Sequence, residues 1–165
     1  MRPFFEYLKT ICSSPVGAEI GVDYGHNASD ILNGLSPVML YLVDNYPIYT
    51  RDTTIASQRE KKRVASDKFS SSKNVTFIHK DSIFASEDIK DESLDFVYID
   101  ANHRYENARA DIEAWFPKLK PGGMIGGHDF DGSEDTYGVY RAVCDWAIQN
   151  KMRVTFENSD WWSIK

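Results

Sequence analysis

Several apolar runs in this chain end on a side chain that can accept or move a proton. Asp44 follows residues 38–43, Asp81 follows 75–79, Asp100 follows 94–99, and His128–Asp129 follow the run that begins at Met124–Ile125. A carboxylate accepts at two oxygens, so an acid such as Asp44 suits a pair of neighbouring hydroxyls. His103 lies three residues after Asp100, and an imidazole of ordinary basicity can take up a proton near neutral pH. The stretch Glu19-Ile20-Gly21-Val22-Asp23-Tyr24-Gly25 adds an acid ahead of two spaced glycines. Glycine permits backbone shapes and close approaches that a Cβ would block, so a ligand could lie against this turn. A helix starting near Asn27 would aim its free N–H groups at the same opening.

These residues need elements to hold them in register. Val16–Val22, 38–43, 75–79 and Leu94–Ile99 read as strands, and the run at Val38–Val43 is apolar enough to be covered on both faces. Helices are expected over 3–12, with Phe4, Phe5, Leu8 and Ile11 on one face, and over 27–35, 53–70, 104–118 and 136–150. Pro121-Gly122-Gly123 predicts a turn before a fifth strand at Met124–Ile125. Met152–Phe156 and Trp161–Ile164 complete seven strands around a turn at Asn158-Ser159-Asp160. This alternation predicts one α/β domain over 1–165, with residues 1–14 a short helix ahead of the first strand, and a mostly parallel sheet with helices on both faces. Ligands of such sheets bind beyond the carboxyl ends of the strands, which is where the acids and histidines above would stand.

The glycine spacing differs from the Gly-x-Gly-x-x-Gly turn that wraps a pyrophosphate, which disfavours a nicotinamide dehydrogenase. S-adenosylmethionine (SAM), with an amino-acid tail, a sulfonium, a ribose and an adenine but no phosphate, suits the pattern better. Glu19 would orient the turn or a ligand ammonium, Asp44 the ribose, and Asp81–Ser82 the adenine edge. Tyr24 falls on the same edge.

On these residues the sequence resembles class I SAM-dependent methyltransferases, through Val16-Gly17-Ala18-Glu19-Ile20-Gly21-Val22-Asp23-Tyr24-Gly25. Tyr98-Ile99-Asp100-Ala101-Asn102-His103-Arg104-Tyr105-Glu106, with Leu119-Lys120-Pro121-Gly122-Gly123 and Gly127-His128-Asp129, is similar to the macrocin-type and related sugar O-methyltransferase branch. The resemblance runs from about Val16 to the end. It implies a Rossmann-like, doubly wound sheet of seven strands, the last antiparallel, and methyl transfer to a small-molecule hydroxyl. It also implies that Asp100 and Asp129, at neighbouring strand ends, hold Mg²⁺ or Mn²⁺, that Asp100 also meets the cofactor, and that His103 is the base. Relatives often carry a third acid or amide beside Asp129. This chain has His128 and Phe130 there; His128 is a candidate ligand, better suited to Mn²⁺ or Zn²⁺ than to Mg²⁺, with Asp131 a further candidate. Two alternatives stay open: a methyltransferase that needs no metal, and a module that binds SAM or a nucleotide without catalysis.

Composition narrows the partners. A net charge of −6 argues against a nucleic-acid backbone or an anionic membrane. No run of about 18 apolar residues predicts a membrane span, and the first residues lack the apolar stretch of a secretory signal, so a cytoplasmic setting is expected. Cys12 and Cys144 have no metal-type spacing and are expected to be buried, reduced thiols. The four tryptophans are expected to pack the interior. Few residues precede the first strand and no long insertion follows the fifth, so either the acceptor side is open or a partner subunit closes it, as a homodimer would.

Overall fold

The computed structural model describes residues 1–48 and 53–165. Its strands are β1 (Val16–Ile20), β2 (Met39–Val43), β3 (Val75–Ile78), β4 (Leu94–Ile99), β5 (Leu119–Gly127), β6 (Thr155–Glu157) and β7 (Asp160–Ile164). The helices are α1 (Pro3–Ile11), α2 (His26–Leu35), α3 (Ile55–Phe69), α4 (Ser82–Ser86), α5 (Tyr105–Trp115) and α6 (Tyr137–Asn150). The strands form one sheet in the order β3-β2-β1-β4-β5-β7-β6. The first five pair in parallel, while β7 runs antiparallel to both β5 and β6. This is the expected seven-stranded, doubly wound sheet. No described helix is long and apolar enough to cross a membrane.

Register decides the site. Ile20 lies beside Val43 and Ile99, Val43 beside Ile78, and Ile99 beside Gly127. Gly21, Asp44, His79, Asp100 and His128 therefore leave the sheet in one row. Backbone bonds extend the ladder by one step there: Asp100 N–H donates to Ile20 O at 2.8 Å, Gly21 N–H to Val43 O at 2.9 Å, and His128 N–H to Ile99 O at 3.1 Å.

Side chains alternate across the sheet. On β4, Phe96 and Tyr98 join a core with α1 and α2, and Val97 and Ile99 join the opposite core with α5 and α6. All four tryptophans are buried, as expected. α1 docks through Phe4 and Phe5, whose rings stand 5.0 and 4.7 Å from that of Tyr98. Pro3 begins the helix, where its missing N–H costs nothing. The Phe4 N–H donates to Asp160 Oδ2 at 3.2 Å, and Tyr98 Oη donates to Asp160 Oδ1 at 2.9 Å. A buried carboxylate thus serves a helix N-terminus, where the macrodipole favours negative charge.

The structure departs from sequence expectation in several places, the short helix α4 among them. Ile11 is 48% exposed, because α1 ends there and only its first two turns lie on the sheet. Pro121–Gly123 lies within β5 as an irregularity, not before it: pairing jumps from Leu94/Leu119 to Phe96/Met124, and Gly122 takes φ +82°. Residues 152–154 are outside β6, since the Met152 N–H closes back onto Ala147 O at the end of α6. Cys12 and Cys144 are free but half-buried rather than buried.

Candidate cofactor and acceptor site

The first loop is shaped for close approach. Gly21 has φ +88°, and a Cβ there would stand 2.0 Å from Asp100 O. Gly25 has φ +71° immediately before α2. Asp44 fastens this loop from the neighbouring strand: Oδ2 accepts from the N–H groups of Val22 and Asp23 at 2.9 and 3.1 Å, and Oδ1 accepts from Tyr46 N–H at 2.6 Å. Asp44 thereby organises the turn, and of its roughly four acceptor sites one remains for a further donor.

Two cavities flank the saddle made by Gly21 and Asp44. One, of about 170 Å³, is lined by Asp81, Ser82, Ile83, Asn107 and Asp111 among others. The larger, of about 510 Å³, is lined by Arg2, Glu19, Tyr24, Asn27, Asp100 and His103 among others. Gly21, Asp44, Pro47 and Ala101 belong to both, so one extended ligand could straddle the saddle.

In the smaller cavity Asp81 caps α4, accepting from Ile83 N–H at 3.1 Å. Ser82 Oγ accepts from Trp115 Nε1 at 3.0 Å and gives its own hydrogen to Asp111. Burial lifts the Asp111 carboxyl to about 6, against the Ser82 hydrogen bond that lowers it. Asp111 was not foreseen. The signal was an acid inside the buried stripe Ala108, Asp111, Ile112, Trp115 of α5.

In the larger cavity Glu19 is 1% exposed. Its Oε1 accepts from Asn27 Nδ2 at 2.8 Å, while Oε2 is buried without a partner among the described residues. Burial lifts this carboxyl to about 8, only partly offset by Asn27. Arg2, also unforeseen, reaches over the sheet edge from the start of α1. Its Nε donates to Asn27 Oδ1 at 3.2 Å, and its terminal nitrogens lie 3.4 Å from Asp100 Oδ2 and 3.6 Å from Asp160 Oδ1. Tyr24 lies on the rim with Lys61 Nζ 5.5 Å over its ring.

At the inner end, His103 Nε2 stands 2.9 Å from Asp129 Oδ2, and His128 Nδ1 stands 2.9 Å from Asp129 Oδ1. Burial opposes ionisation of Asp129, but the two imidazole hydrogen bonds outweigh it and hold the carboxyl below the usual range. The same bonds raise both histidines. Asp100 is raised, by burial first and by Asp129 second. Asp100, His103 and Asp129 each offer a ligand atom within 4.8 Å of the others. His128 stands outside this trio, its Nδ1 turned to Asp129, and Asp131 is engaged with Ser133 and Thr136 in its own loop. His103 also borders an outer recess of about 530 Å³ with Tyr105, Glu134 and Asp135.

The model of a methyltransferase domain family matches residues 18–130, from the strand carrying Glu19 to the loop after Asp129. The chain belongs to this methyltransferase family. An uncharacterized protein, y4gI of Sinorhizobium fredii, is 39% identical over 57 residues, which are 34% of this chain and 6% of that protein. The chain thus spans a small part of that relative. Among solved structures, cofactor-bound Rv0187 from MTB superposes with TM-score 0.73 at 16% identity, covering 98% of this methyltransferase and 77% of that chain. The O-methyltransferase NovP gives 0.69 at 14%, covering 98% and 76%. CalS11, a TDP-rhamnose 3'-O-methyltransferase, gives 0.66 at 14%, covering 97% and 76%. At these identities the likeness is one of fold.

Proposed function

We propose that this methyltransferase methylates a hydroxyl oxygen of a small polyhydroxylated molecule, such as a sugar, with His103 as the base and Asp100 and Asp129 able to hold a divalent cation. The observation that carries this reading is the His103–Asp129 pair beside Asp100, between the cofactor cavity and the outer recess. NovP and CalS11 are O-methyltransferases of the same fold, which agrees with the resemblance of the block around Asp100 and His103.

The residues present fit the cofactor. The unpartnered, buried Glu19 Oε2 is the acceptor that a ligand ammonium would satisfy. Asp44 would meet the ribose, and the pocket of Asp81, Ser82 and Asp111 the base. SAM supplies the electrophilic methyl group. The chain's share is alignment and removal of the acceptor's proton, since in-line attack needs little covalent help. With Nε2 donating to Asp129, His103 Nδ1 carries the lone pair that takes this proton, and Asp129 steadies the resulting imidazolium.

Two carboxylates and an imidazole in reach of one another suit Mg²⁺ or Mn²⁺, and such an ion would acidify an acceptor hydroxyl. A metal-free reading has its own support: the Arg2 guanidinium already stands by Asp100. Crystals soaked in Mn²⁺ are expected to show an anomalous peak within about 2.0–2.6 Å of both carboxylates, and chelation is expected to abolish methyl transfer. Full activity after chelation would select the metal-free reading.

Asp44→Ala is expected to weaken S-adenosylhomocysteine binding by about 10–100-fold, the worth of hydrogen bonds to a charged group. Titration calorimetry beside a thermal melt checks this, because the same variant loosens the Val22–Asp23 turn. Unaltered affinity would remove Asp44 from the cofactor site.

A further inference from the structure

We propose that Arg2 is the receptor for the carboxylate of the cofactor's amino-acid tail, so that Arg2 and Glu19 together read the tail as a zwitterion. The inference rests on the assignment of the larger cavity to SAM.

A zwitterionic tail needs an anion for its ammonium and a cation for its carboxylate. The anion is Glu19 once its proton leaves on binding; its Oε2 is buried without a partner among the described residues. Among the described residues, the lining offers two permanent cations, Arg2 and Lys61. Lys61 is committed elsewhere, with Nζ 2.5 Å from Asp23 Oδ1 and lying over the Tyr24 ring. Arg2 is held more loosely. Its contacts to Asn27, Asp100 and Asp160 are single and long, at 3.2, 3.4 and 3.6 Å, beside a cation–π contact with the Tyr98 ring at 5.8 Å. None is the paired fork that a guanidinium makes with a carboxylate, and its five N–H groups exceed those engagements. The side chain remains 31% exposed, toward the cavity it lines.

Asn27 joins the two halves. Its amide donates to Glu19 Oε1 and accepts from Arg2 Nε, so acid and base are held a fixed amide apart. The backbone of Arg2 is also fixed: Pro3 starts α1, Asp160 holds Phe4 N–H, and Phe4 and Phe5 are fully buried. The side chain is thus delivered by a docked helix, as preorganised recognition requires.

The competing account makes Arg2 only the counter-ion that keeps Asp100 and Asp160 tolerable and α1 seated. The two differ in which ligands they affect. Calorimetry would compare S-adenosylhomocysteine with its decarboxylated analogue, which lacks only the carboxylate, on the full chain and on Arg2→Met. The wild type is expected to prefer the complete ligand by about 10–100-fold, as charge-assisted bonds allow. Arg2→Met is expected to shrink that preference to within about twofold and to bind the decarboxylated ligand like the wild type. Equal weakening of both ligands, or a preference that survives the substitution, would overturn the proposal. Should Arg2→Met fail to fold, the wild type alone decides: no preference for the carboxylate overturns it. A wild type that binds neither ligand would strike the SAM assignment of the cavity itself.

Discussion

His103→Ala is expected to lower methyl transfer by about 10²–10⁴-fold, the usual worth of a positioned general base. S-adenosylhomocysteine affinity should stay nearly unchanged, because the groups proposed to hold the cofactor are Glu19, Asp44 and Arg2. The local structure separates this from a stability effect. α5 starts at Tyr105 with Arg104 as its cap residue, and the Arg104 N–H is taken by Asn102 Oδ1 at 3.0 Å. The imidazole caps nothing. It turns to Asp129, so a loss of stability would come from that one pair and not from the start of α5. Turnover would be measured on an acceptor found by screening polyhydroxylated small molecules, with thermal melts and Mn²⁺ titration on the same preparation. A variant with near wild-type turnover per folded molecule would remove His103 from the mechanism. One that loses Mn²⁺ affinity in proportion to turnover would make His103 a ligand instead of the base.

The row of strand-end residues was legible because strand order and register follow from a few apolar runs. Asp44 and Asp100 are the first polar residues after β2 and β4, and the parallel ladder leaves little freedom in where they emerge. Asp129 was legible for the same reason, although its partner was not. Spacing offered His103 and His128 alike, and only the path of each loop decides that His103 joins Asp100 and Asp129 in one cluster. Asp81 illustrates another limit. It is the acid after β3, but a five-residue helix begins beside it, and one of its oxygens is spent on that helix's N-terminus. So short a helix has no periodicity to detect. Arg2 lay beyond sequence reading for a stronger reason. It is nearly a hundred positions from Asp100, and the two meet because Phe4 and Phe5 pack on β4 and because Gly126 leaves room for the Phe4 ring, which a Cβ there would meet at 2.6 Å. That approach depends on packing between elements, which local pattern does not encode.

Glu19→Gln is expected to change the pH dependence of both stability and cofactor binding. Burial lifts the Glu19 carboxyl to about 8, whereas an unfolded glutamate titrates near 4.3. Between those values the native chain keeps a proton that the unfolded chain has lost. Stability therefore falls as pH rises through the window and levels off above about 8. The loss is on the order of 3–5 kcal/mol at one pKa unit per 1.36 kcal/mol, and the glutamine variant should lack it. Denaturant melts at pH 5 and pH 8.5 on both proteins read this difference, and the histidines, common to both, cancel. Ligand binding adds a second, independent readout. A ligand ammonium beside Oε2 favours the ionised acid, so binding below about pH 8 must expel the proton. Wild-type affinity for S-adenosylhomocysteine should then tighten with pH, by up to about tenfold per unit, and become flat above about 8. The proton released should appear as a dependence of the calorimetric enthalpy on buffer ionisation heat. Glu19→Gln should bind more weakly at high pH and show neither slope nor proton release from this site. If the two proteins share one pH profile for binding, the unpartnered oxygen of Glu19 does not meet the cofactor's ammonium. If they share one for stability, the carboxyl is less isolated than its burial indicates. The two measurements can fail separately, which distinguishes a misplaced ligand contact from a misjudged burial.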